Sequence, residues 1–162
     1  MKLFKHATRI FLATALATLS FASFAADEKM ADSSALMQPV KSVLDHYLLV
    51  QAALAKDSIK GVDENASAIA KAVKGDDMKM LSPDVATQAE TLAKTTDLET
   101  ARAAFKPLSN SLIKYLADHK VGAGTYHEAF CPMAGASWLQ TEKSIKNPYM
   151  GSAMSSCGEF KN

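Results

Sequence analysis

The chain has 162 residues, 48% of them hydrophobic and 22% charged, with a formal net charge of +1 and two cysteines. That balance fits one ordinary globular domain and excludes a disordered chain, which would carry fewer apolar residues and more net charge. Two cysteines are too few for a disulfide scaffold, and a charge near zero gives no basic field to attract nucleic acid.

The first nine residues carry Lys2, Lys5 and Arg9, Ile10 to Phe24 is uncharged, and Ala25-Ala26-Asp27 follows. A basic start, a short apolar stretch and small residues before a polar one form the pattern of a secretory signal peptide. Ser23 and Ala25 suit the small-residue positions before a cleavage point, so residues 1–25 are expected to be removed. The apolar run is shorter than the roughly 20 residues that cross a bilayer. No membrane span is therefore expected after cleavage, and no cysteine follows to take a lipid anchor. Cleavage removes three basic residues and no acidic one, which turns the net charge from +1 to −2 and weakens a nucleic-acid reading further. The expected location is the periplasm. That space is oxidising, which opens disulfide chemistry to the two cysteines.

Residues 26–38 show little periodicity and read as a flexible lead-in to a single domain over 39–162. Pro39 suits a first helical turn, and Val40, Val43, Leu44, Tyr47, Leu48 and Leu54 share one broad face. Asp57 reads as the cap of a second helix carrying Ile59, Val62, Ala66, Ile69 and Val73, with Gly75 ending it and Gly61 weakening its first turns. Ser82-Pro83 opens a third helix, with Ala86, Ala89, Leu92 and Ala93 on one side. Thr96-Asp97-Leu98-Glu99 fits a capping box for a fourth, whose stripe is Leu98, Ala101, Phe105, Leu108, Leu112 and Tyr115. Pro107 lies inside that stripe and should kink or split the helix. Four amphipathic segments on short links predict a mainly α fold, an antiparallel four-helix bundle. His46 and His119 stand alone, and Met78 with Met80 in a polar link is a weak basis for a metal. The body reads as scaffold.

After Val121-Gly122-Ala123-Gly124 the composition changes, and residues of about 124–158 form a distinct Cys/Met motif. An extended 126–133 places His127, Ala129, Cys131 and Met133 on one face, with Pro132 limiting it to an edge or a loop entry. Residues 137–141 read as a second extended piece, giving a short C-terminal β-hairpin across Ala134-Gly135-Ala136. Trp138 reads as its buried anchor. Asn147, Pro148 and Gly158 then delimit a final short helix whose Met150, Met154 and Cys157 fall at i, i+4 and i+7 on one face. Thiolate and thioether ligands select Cu(I) over hard cations, and imidazole can join them. The candidate metal set is therefore His127, Cys131, Met133, Met150, Met154 and Cys157. The alternative use of the same cysteines is a Cys131–Cys157 disulfide, which closes a loop of about 26 residues and contributes on the order of 3 kcal/mol. Catalysis is not expected. There is no H-E-x-x-H, G-x-S-x-G, phosphate loop or C-x-x-C, and His127 and Cys131 on one strand lie too far apart for direct proton transfer.

The segments Tyr126 to Met133, Trp138-Leu139-Gln140, Asn147 to Gly151 and Met154 to Gly158 together make a pattern. It resembles the periplasmic family catalogued as domain of unknown function 3347. Tyr47-Leu48, Ala53-Leu54, Asp57, Phe105 and Leu108-Ser109 extend the resemblance to about residues 40–160. Members of that family occur alone or fused to adaptor subunits of heavy-metal efflux systems. The resemblance implies a helical bundle with a Cys/Met tail, in the company of copper and silver export. It carries over to Cys131, Pro132, Met133, Trp138, Asn147, Pro148, Tyr149, Gly151, Met154, Cys157 and Gly158. The expected function is a periplasmic Cu(I) binder that handles copper or assists efflux, with an efflux adaptor or another periplasmic metal protein as partner. The alternative is a disulfide-stapled interaction module that binds no metal.

Overall fold

The caps and the apolar stripes place the elements of this computed structural model, which describes residues 36–122 and 124–161. The signal segment 1–25 and lead-in residues 26–35 lie outside the described residues. Four helices, α1 (Val40–Leu54), α2 (Val62–Lys74), α3 (Pro83–Ala93) and α4 (Leu98–His119), precede β1 (His127–Cys131) and β2 (Ala136–Gln140). A 3₁₀ turn, Gly151–Met154, and a two-residue β3, Glu159–Phe160, complete the chain. The fold is mainly helical with a small three-stranded antiparallel sheet.

The stripes read from the sequence are the faces that disappear from solvent. Val40, Val43, Leu44, Tyr47 and Leu54 of α1 are buried, as are Val62, Ala66, Ile69 and Val73 of α2. Consecutive helices pack on one another, and α1 and α4 both meet β2. In α3 the Ser82 hydroxyl accepts from the Asp84 amide at 3.3 Å, with Pro83 in the first turn. In α4 the Asp97 carboxylate caps the Thr100 amide at 2.9 Å and takes the Thr100 hydroxyl at 2.7 Å. The cap is Asp97 rather than Thr96, so Thr100 and not Glu99 stands at the third helical position.

Four expectations are corrected. The second helix begins at Val62 rather than after Asp57, because Gly61 at φ +77° holds the left-handed conformation that precedes it. Ile59 therefore lies outside the helix and is 39% exposed. Pro107 does not split α4, which is continuous to His119. Pro107 and Ala103, whose carbonyl loses its donor, are both exposed, so water can take the freed oxygen. The expected hairpin is a sheet of order β2-β1-β3: Cys131 faces Ala136 across β2, while Ala129 faces Phe160 of β3. The final α-helix shrinks to the 3₁₀ turn, since Gly151 at φ +54° cannot continue a right-handed helix from Pro148.

The sheet is joined to the helices through a chain of three hydroxyls. The outer edge of β2 offers the Leu139 amide, which donates to the Tyr47 hydroxyl at 3.1 Å. Tyr47 lies 2.8 Å from the Ser109 hydroxyl. Tyr149 lies 3.2 Å from Ser109 and donates to the Ser137 carbonyl at 3.0 Å, back on β2. Tyr47 also stacks on Phe105 with ring centroids 4.9 Å apart, and Tyr149 meets the edge of Trp138 at 6.0 Å. Tyr47, Ser109 and Trp138 are fully buried, so each polar atom must find its partner inside the protein. Tyr47→Phe removes the acceptor of a buried amide and should destabilise by about 1–3 kcal/mol. A lower urea midpoint at unchanged slope is the expected result, and an unchanged midpoint would refute this role.

Candidate functional site

Alternation along β1 turns Ala129 and Cys131 inward, and Cys131 closes the strand with no exposed surface. Cys157 lies after the 3₁₀ turn, half-buried, its amide donating to the Met154 carbonyl at 3.0 Å. The two are free thiols with sulfurs 2.8 Å apart.

The loop that delivers Cys157 is shaped by Asn147, which is fully buried. Its side-chain amide donates to the Cys157 carbonyl at 2.7 Å and also reaches the Cys131 thiol. Its side-chain oxygen accepts from Tyr149 at 2.8 Å and Met150 at 3.0 Å, forming a turn over Pro148. Its own amide donates to the Ser155 carbonyl at 3.0 Å. One side chain thus fixes both ends of the 147–157 loop.

A second set of contacts fastens this loop to the helices. Arg102 of α4 donates to the Pro148 carbonyl at 2.7 Å, to the Leu54 carbonyl at 2.9 Å and to Asp57 at 2.5 Å. The other Asp57 oxygen accepts the Ser152 amide at 2.9 Å and the Ser152 hydroxyl. Gly151 lies under this cluster, and a Cβ there would overlap the Asp57 carboxylate and the Arg102 guanidinium. Gly158, at φ +135°, brings its backbone against the Phe130 carbonyl and Trp138. Sequence reasoning missed Asp57 and Arg102 as tail anchors. The available signal was Gly151, a glycine in the middle of a supposed helix.

The thiols are electrostatically unequal. Burial pushes Cys131 up, but hydrogen bonds from Cys157, the Ala134 amide, Asn147 and the Met133 amide outweigh it and leave Cys131 below the ordinary thiol value. The bond to Cys131 pushes Cys157 up, and burial adds to it. The pair titrates as a unit, in which one thiolate forms readily and is held by the proton that remains. Asp57 is held down at about 2, first by the Ser152 hydroxyl and then by Arg102.

Of the six residues read as metal ligands, the structure brings Cys131 and Cys157 into contact. Met133 follows β1 in the turn Pro132–Gly135, its side chain 65% exposed. Met154 holds the Cys157 amide and is 38% exposed. Met150 is half-buried against the apolar core. His127 stands at the other end of β1, about 13 Å from Cys131 at strand spacing, with its ring edge-on to Phe160 at 5.6 Å. Among the described residues no three His, Cys, Asp or Glu side chains gather as a metal cluster.

Gly151→Ala forces a Cβ into the Asp57–Arg102 contact and a left-handed backbone on alanine, and should cost about 2–4 kcal/mol. An unchanged thermal midpoint would contradict this. Asp57 has a folded pKa below its unfolded one, so its contribution is complete above about pH 4 and is lost as pH falls toward about 2. Asp57→Asn should flatten that part of the stability–pH curve. Parallel curves for the two proteins would exclude the role.

The family model described as Protein of unknown function (DUF3347) matches residues 43–124, from within α1 to just beyond α4. The match stops before the Cys/Met tail, so it is shorter than the expected 40–160. No curated protein and no solved structure matches the chain.

Proposed function

The chain belongs to the DUF3347 family, and we propose that it is a periplasmic soft-metal protein that takes Cu(I) on Cys131 and Cys157. The observation that carries this reading is the meeting of the Cys131 and Cys157 sulfurs, 2.8 Å apart with no disulfide between them. The donor set fits the ion: Cu(I) prefers soft thiolate sulfur, and the amides of Met133 and Ala134 with the Asn147 side chain stabilise the negative charge that a ligating Cys131 must carry. Bound there, the metal would serve as cargo, in copper handling or in support of efflux.

Asn147 and the Pro132–Gly135 turn position the ligands, and the Asp57–Arg102–Ser152 contacts hold that loop in register with the helices. The four helices act as scaffold, and their short links and chain-order packing support an antiparallel bundle. The basic and apolar N-terminus supports export to the periplasm. A heavy-metal efflux adaptor, or another periplasmic metal protein, is the partner this reading implies. The reading is of a binding protein and not an enzyme.

The 2.8 Å separation of the sulfurs also favours a second reading. Oxidised, the pair would staple the tail, and the protein would be an interaction module without metal. A Cu(I) competition titration on the reduced mature protein, beside the Cys131→Ser, Cys157→Ser double variant, separates the two. One tightly held Cu(I) that the double variant loses is the expected outcome. Equal weak binding by both proteins, with no free thiols in protein taken from the periplasm, would replace the metal reading with the staple.

A further inference from the structure

Resting on the Cu(I) reading above, we propose that Met133 and Met154 are the entry ligands of the site, where a soft-ligand copper carrier hands over its ion. Four sulfur-bearing residues of the tail are graded from outside to inside, with Met150 half-buried against the core beside them. Met133 is 65% exposed and Met154 38%, Cys157 is half-buried, and Cys131 is closed to solvent. Among the described residues most large apolar side chains are withdrawn into the core, yet Met133 and Met154 stay out, as do Met37, Leu49, Ile59 and Met78. They sit on the two backbone segments that enclose the thiols. Met133 stands two residues after Cys131, and the Met154 carbonyl holds the Cys157 amide at 3.0 Å.

That order matches a gradient of ligand strength. A thioether is neutral, needs no deprotonation and binds Cu(I) weakly. A thiolate binds it strongly but must first lose its proton. An ion arriving on a carrier's sulfur or imidazole ligands can exchange first onto an exposed thioether. As each copper–thiolate bond forms, a bond to thioether or carrier breaks and the cysteine proton leaves to solvent. Copper remains Cu(I) throughout, so no oxidant or reductant takes part. Cys131, closed to solvent, is reached last, since a fully buried ligand could not meet a carrier directly. The thioethers therefore govern the rate of loading and contribute little to the final affinity.

The experiment follows transfer of Cu(I) from its bicinchoninate complex to the reduced protein, reading both the stopped-flow rate and the equilibrium position. The Met133→Leu, Met154→Leu variant conserves volume at exposed positions, so its fold should survive. It should load at least about tenfold more slowly with its equilibrium affinity within about threefold of the parent. Met78→Leu, at a still more exposed position in the α2–α3 link (71%), should change neither. An unchanged rate in the double variant, with parental affinity, would overturn the entry role and leave the thiol site standing. A matching loss of rate and affinity would make the two methionines equilibrium ligands and would also overturn it. Failure of the parent to bind Cu(I) would overturn the thiol site itself.

Discussion

Three buried hydroxyls carry the join between the helices and the tail. A short strand packed against helices brings edge amides and carbonyls into the interior, where an unpaired group costs about as much as several good contacts supply. Tyr47, Ser109 and Tyr149 come from α1, α4 and the tail, and together they answer the Leu139 amide and the Ser137 carbonyl of one strand edge. Gln140 does the same at the end of β2, bonding the Trp138 indole, the Lys146 amide and the carbonyls of Glu142 and Ser144. With the sheet seated, Asn147 can shape the loop that returns Cys157 to Cys131.

The helices were legible because their apolar residues recur every three or four positions and their caps are local in sequence. Ser82 and Asp97 cap their helices as their types suggest. Asp57 has the same chemistry, but its partners, Arg102 and Ser152, lie 45 and 95 residues away, and no local rule weighs such contacts. The two-residue β3 is too short for alternation to reveal. In the last segment a sequence with good helix ends was read through Gly151, whose packing under Asp57 and Arg102 demands a left-handed backbone. Alternation correctly turned Cys131 inward. It says which face a residue takes and not how far along the strand, which is how His127 entered the same candidate set at the opposite end of β1.

Most of the motif residues have structural work that the geometry accounts for. Asn147 shapes the loop, Pro148 offers its carbonyl to Arg102, Tyr149 extends the hydroxyl chain, and Gly151 and Gly158 permit close approach. Trp138 fills the core beneath them. What packing leaves unexplained is the sulfur: two thiols in contact, with two exposed thioethers on the segments around them. The matched family segment covers the four helices from within α1, and Cys131, Met133, Met154 and Cys157 lie in the tail beyond it.

The account's central claim is that this tail builds a sulfur site from Cys131 and Cys157, separate from the lone imidazole of His127. X-ray absorption at the copper edge of the reduced, Cu(I)-loaded protein tests it most directly. A first shell made of sulfur alone, which disappears when both cysteines are replaced by serine, is the expected result. A shell containing imidazole nitrogen, or one that survives the loss of both cysteines, would contradict it.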